Sequence, residues 1–117
     1  MIYPQEIEVW YILPLIRKEL TKELLNYNLN QKEIAFKLGV TEAAVSQYIN
    51  EKRASITLLD KSIKNAIEES AKKIAHNNTV MKEIQSISKL FWETRSICKI
   101  HIQNDKSIAK NCDLCFK

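Results

Sequence analysis

All three cysteines of the chain lie near its C-terminal end, in Cys98-Lys99-Ile100-His101 and, after a ten-residue gap, Cys112-Asp113-Leu114-Cys115. Cys-x-x-His and Cys-x-x-Cys each let two ligands converge on one ion, and the stretch between them is long enough to fold the pairs together. Cys98, His101, Cys112 and Cys115 would make a closed tetrahedral set suited to zinc, with sulfur at about 2.3 Å and nitrogen at about 2.0 Å. The same four could hold a four-iron iron–sulfur cluster, because soft thiolates serve both. A disulfide, Cys112 with Cys115 or either with Cys98, is a competing use, and a reducing cytoplasm disfavours it. Simple free thiols are another. The expectation is one metal centre per chain, zinc ahead of the cluster. Zinc would be structural, since so short a tail has little core of its own and coordination energy would be its folding energy. A cluster would suggest sensing, because its reactivity depends on exposure and on hydrogen bonds to sulfur. His76, beside Asn77-Asn78, has no paired partner and reads as a surface or capping residue.

A second chemistry lies between residues 31 and 53. Gly39 is the only glycine in the chain, and glycine takes a positive φ at little steric cost. Ala35 stands four residues before it, where two helices could cross closely, and Val45 six residues after it. That is the spacing of a helix-turn-helix. Asn30 with Glu33 can form a capping box on the first helix, and Thr41 can cap the second, with Glu42 in its first turn. Ile34, Leu38, Val40, Val45 and Ile49 form the inward face. Gln31, Lys32, Glu42, Ala43, Ser46, Gln47 and Asn50 are left outside, and Thr41 lies at the start of the second helix. A Gln amide can pair with adenine, a Ser hydroxyl with several bases, and an Ala methyl can touch the thymine methyl. Base reading therefore falls to Glu42, Ala43, Ser46 and Gln47. Lys52 and Arg53 follow where phosphates would pass, and such contacts position a protein without reading sequence. The competing reading is an ordinary helical hairpin, with Lys52 and Arg53 in a solvated loop.

These residues need a helical frame. Pro4 suits the first turn of a helix. Ile7, Trp10, Tyr11, Leu13, Leu20, Leu24 and Leu25 give an apolar stripe, with Trp10 and Tyr11 expected in core or dimer packing. The residue before a proline resists αR geometry, so a kink or break is expected near Leu13, with the helix resuming from about Leu15 to Tyr27. From Thr57, Leu59, Ile63, Ala66 or Ile67, Ser70 and Ile74 repeat at steps of three and four. After Asn77-Asn78, Thr79 restarts the run with Val80, Ile84, Ile87, Phe91 and Thr94. Such spacing fits a dimer interface, the chain's own core, or both. The expected organisation is all-α: a helix-turn-helix domain with a long N-terminal helix over 1–56, helical dimerisation segments over 57–95, and a small metal-binding tail over 96–117.

The run from Gln31 to Asn50, followed by Lys52-Arg53, resembles the XRE-type helix-turn-helix of the repressor-like regulators that include phage repressors. Ile2-Tyr3-Pro4-Gln5-Glu6-Ile7-Glu8-Val9-Trp10-Tyr11-Ile12-Leu13-Pro14 is similar to an archaeal branch of transcriptional regulators, whose members carry Gln-Lys-Glu-Ile-Ala, Leu-Gly-Val-Thr-Glu-Ala-Ala-Val-Ser-Gln-Tyr and a cysteine-bearing tail. The resemblance covers most of the chain and is strongest over the first 53 residues. It implies a sequence-specific transcription regulator. Relatives of this kind are expected to carry a further cysteine pair upstream, where this chain reads Ser88-Lys89-Leu90-Phe91, so only one centre is provided for.

Composition fits these expectations. Apolar residues make up 45% and charged residues 27% of 117 residues, enough to fold. One Gly and two Pro disfavour an all-β fold. Lys and Arg exceed Asp and Glu by 18 to 14, a net charge of +4, which suits a polyanion. No apolar run approaches the ~20 residues that cross a bilayer, and no export signal is visible, so no membrane partner and a cytoplasmic location are expected. An enzyme is not expected: paired His and carboxylate, phosphate-cradling glycine loop and nucleophile motif are all missing. The expected partners are double-stranded DNA, as a palindromic operator, and a second copy in a homodimer. The alternative is a protein-interaction adaptor on the same scaffold, without DNA binding.

Overall fold

A computed structural model describes residues 3–50, 60–77 and 79–104. Among them the secondary structure is helical throughout, with no strand. The first element is one long helical run: α1 (Pro4–Ile7), a π-helical turn (Glu8–Ile12) and α2 (Leu13–Leu25). Pro4 sits in its first turn. Glu6 reaches back so that its Oε1 accepts from the Tyr3 N–H at 3.0 Å.

Near Leu13, where a kink or a short break is expected, the helix is unbroken and a π turn precedes it. Ile12 and Leu13 both keep αR dihedrals. Pro14 nevertheless lacks an N–H, and its ring would crowd the carbonyl four residues back. The helix meets this by widening instead of breaking, and the Leu13 N–H donates to the Glu8 carbonyl, five residues back.

The wider turn resets which residues face inward. Ile7, Ile12, Ile16, Leu20 and Leu24 are all fully buried. Their steps are five, then four, four and four, so the extra residue of the π turn keeps Ile7 in line with the rest. Of the two roles expected for Trp10 and Tyr11, the core role does not hold: both are exposed on the single chain, as is Leu25. A regular 3.6-residue period cannot place them correctly, because the period changes at the turn.

After the turn at residues 26–28, where Asn28 has φ 63°, come α3 (Gln31–Leu38), α4 (Glu42–Asn50), α5 (Lys61–His76), α6 (Val80–Glu93) and α7 (Ser96–Asn104). The α3–α4 pair and α5 both rest on α2, and α6 packs on α5 and α2. Asp60 caps α5, accepting from the Ser62 hydroxyl at 2.7 Å and its N–H at 2.9 Å. Those bonds hold its carboxyl below the usual range. Ile63, Ile67, Ser70 and Ile74 of α5 and Ile87 and Phe91 of α6 are buried within the chain itself. Thr57 and Leu59 lie outside the described residues.

Two polar contacts fix the helices' register. The buried Ser70 hydroxyl donates to Glu83 Oε1 at 2.9 Å between α5 and α6. Trp92 Nε1 donates to Glu8 Oε1 at 2.7 Å, tying α6 to the π turn. Ile97 and Ile100 then carry α7 into the same core, against α1, the π turn and α6. The described part measures 43 × 23 × 21 Å.

Leu20 stands in the middle of the buried row on the helix that α3, α4, α5 and α6 all touch. Leu20→Ala should lower unfolding free energy by about 2–5 kcal/mol, read from urea denaturation. A loss under about 1 kcal/mol would mean that this row is not tightly packed.

Candidate nucleic-acid interface

The α3–α4 unit is built almost wholly from local contacts. Asn30 Oδ1 accepts from the Glu33 N–H at 2.8 Å, and Glu33 Oε1 accepts in return from the Asn30 N–H at 3.4 Å. This capping box starts α3. At its far end Gly39 takes φ 68° and ψ 36°. The Val40 N–H donates to the Ala35 carbonyl at 3.0 Å, and the Gly39 N–H to the Phe36 carbonyl at 3.3 Å. The two bonds are those of a Schellman closure. Thr41 Oγ1 then accepts from the Ala44 N–H at 3.1 Å and starts α4.

Burial follows from the crossing of the two helices. Ile34, Ala35, Leu38 and Val45 are buried, while Val40 and Ile49 pack partly against the same core. The outward face is left open. Gln31 and Lys32 are exposed at the start of α3, as are Thr41, Glu42, Ala43, Gln47 and Asn50 at and along α4; Ser46 is half-buried. Glu42, Ala43, Ser46 and Gln47 occur at steps of one, three and one, so that Glu42 with Ser46 and Ala43 with Gln47 are each four apart. They therefore lie on neighbouring turns of one helical side. That side offers a carboxylate, a methyl, a hydroxyl and an amide. Lys52 and Arg53 lie outside the described residues.

Two features of this unit escaped the sequence reading. Lys37 Nζ donates to the Ile74 carbonyl at 3.1 Å, joining the last turn of α3 to the last turn of α5. A lysine at a helix C-terminus satisfies a carbonyl that has no partner within the helix. Nothing local in the sequence marks it, because the two residues are 37 positions apart. Phe36 is 82% exposed on α3. Its position off the Ile34–Leu38 stripe was the available signal.

The candidate metal ligands are placed in part. Cys98 and His101 stand three residues apart on α7, on one helical face. Cys98 is half-buried against the core and His101 is buried. Cys112 and Cys115 lie outside the described residues. Among the described residues no group of three or more His, Cys, Asp or Glu converges on one point. His76 is exposed at the end of α5, with its ring edge-on to Tyr27 at 6.3 Å between centroids.

A Cβ built on Gly39 would meet nothing within 4 Å. Its requirement is therefore one of backbone geometry alone. Gly39→Ala should cost about 1–2 kcal/mol, the left-handed penalty of an L-residue, and Gly39→Val more, because β-branching resists positive φ. Thermal melts of the two variants check this, and an unchanged melt for the valine variant would contradict the turn.

No curated protein and no solved structure matches the chain. Among the described residues no helix is long and apolar enough to cross a membrane. Residues 20–61 match the family model described as helix-turn-helix. The match takes in the C-terminal part of α2, the whole of α3 and α4, and the segment leading into α5. The family model and the geometry thus agree on the same residues: this part of the chain is a helix-turn-helix.

Proposed function

We propose that the chain is a sequence-specific regulator of transcription that binds double-stranded DNA as a homodimer. The observation that carries this is the open side of α4: Glu42, Ala43 and Gln47 exposed behind a capped N-terminus and a left-handed glycine turn. The first turns of such a helix enter the major groove, where amide, hydroxyl and methyl groups distinguish base pairs. Gln31 and Lys32 at the start of α3, with Thr41, Asn50, Lys52 and Arg53 around α4, would hold the phosphates on either side. With two copies, the operator would be a palindrome whose half-sites lie about 34 Å apart, one helical turn.

Cys98 and His101 on α7, with Cys112 and Cys115, are proposed to hold one metal centre per chain. Zinc is favoured over a four-iron cluster, because three thiolates and an imidazole are a common closed zinc set. The pair on α7 supports this, since one helical turn brings two ligands to the same side.

Binding to promoter fragments over a salt series tests the regulator. A specific complex should form, weakening as salt rises through release of counterions. Gln47→Ala should weaken it by about 1–3 kcal/mol. Only a salt-dependent, sequence-blind complex, or none, would favour an adaptor instead. Anaerobic purification followed by metal analysis tests the centre. A colourless protein with about one zinc per chain is expected, reduced by Cys98→Ser. A brown protein absorbing near roughly 400 nm would assign the cluster, and metal-free protein would remove the centre.

A further inference from the structure

The helix that opens the chain carries an apolar face that its own core does not use. Tyr3, Val9 and Trp10 are 64%, 59% and 54% exposed, and Tyr11 also faces out. These are not scattered single residues. From Val9 to Ile16 the sequence has no charged side chain, and only Ile12 and Ile16 of that stretch are buried. The π turn is the cause: it brings Ile7 and Ile12 inward together and leaves three consecutive bulky residues outside. A contiguous exposed apolar patch marks an interaction surface.

The flanks of the patch name its occupant. Glu6, Trp10, Pro14 and Arg17 all lie off the buried row of Ile7, Ile12 and Ile16, on the outward half of the helix, and none of them is buried. Glu6 and Arg17 are both half-buried, not submerged. That side is therefore acidic at its N-terminal end, basic at its C-terminal end and uncharged between. Laid antiparallel on a copy of itself, it sets Glu6 of one copy against Arg17 of the other, twice, with Trp10 against Pro14 between them. Self-complementarity of this kind is what a two-fold contact requires. A lipid surface would instead call for Lys and Arg around the apolar residues, and here Glu6 and Glu8 occupy the N-terminal flank.

We infer that the face formed by Tyr3, Val9, Trp10 and Tyr11, closed at its ends by Glu6 and Arg17, is an antiparallel interface between two copies of this chain. The inference deepens the regulator reading and rests on it for the need of two reading helices.

Sedimentation of the full chain over a concentration series tests it, with iodide quenching of tryptophan fluorescence alongside. The wild type should form a species of twice 13.6 kDa, with quenching falling as the dimer fills. Trp10→Glu should raise the dissociation constant about 30-fold or more, as loss of a central anchor does, with an unchanged circular dichroism spectrum. Met81→Glu, at a residue 75% exposed on α6, should leave the dimer intact. Arg17→Glu should weaken it, and adding Glu6→Arg should restore it. A monomer at every concentration, a dimer indifferent to Trp10→Glu, or a double variant no better than the single one would overturn the proposal. So would a monomer that pellets with anionic vesicles. A dimer sensitive to Trp10→Glu that ignores DNA keeps this interface and removes the regulator, whereas specific DNA binding by a monomer does the reverse.

Discussion

A proline inside an unbroken helix sets the terms for this fold. Pro14 removes one N–H from the ladder and crowds the turn before it. The chain answers with a single π turn over Glu8–Ile12. The consequence is a change of phase: Ile7 joins Ile12, Ile16, Leu20 and Leu24 in one buried row, and α2 becomes the helix on which α3, α4, α5 and α6 all lean. Glu8, at the start of the widened turn, is drawn onto Trp92 and Ser88 of α6. The position of the reading unit is therefore referred to a helix whose register a missing hydrogen bond decides.

The reading unit itself depends little on that frame for its shape. Its start, its turn and its second start are each closed by contacts within six residues. Gly39 contributes through φ alone, since space for a side chain is present. What α2 adds is a floor for Ile34, Leu38 and Val45. Shape is local and placement is not, which suits a unit that must present the same side chains wherever it is carried.

Legibility followed the same division. Asn30, Glu33, Gly39 and Thr41 were readable because capping and left-handed turns act over three to six residues, and the structure has each of them. The stripe of α5 was readable because four apolar or small residues recur at helical steps, and all four are buried. The first helix does not carry Trp10 and Tyr11 into the chain's own core, because the period changes at the π turn, which leaves packing between copies as their other expected role. The core role of α7 was not foreseen: its buried aliphatic residues, Ile97 and Ile100, are too few to stand out beside Cys98 and His101. Contacts such as Lys37 with Ile74 carry no signature in a single sequence, since either residue could occupy its place without the other. Of the outward set, the residues from Gln31 to Asn50 were foreseen from helix phase, whereas the chemical roles given to them rest on what a groove offers.

Lys37 joins the last turn of α3 to the last turn of α5. Its ammonium holds a carbonyl in the final turn of α5. From there the chain passes directly into α6 and then into α7, where Cys98 and His101 sit. A rotation of α5 about its axis would stretch or break this contact between the two helix ends. The ends of α3 and α5, 37 positions apart in sequence, are thus held together by one flexible side chain.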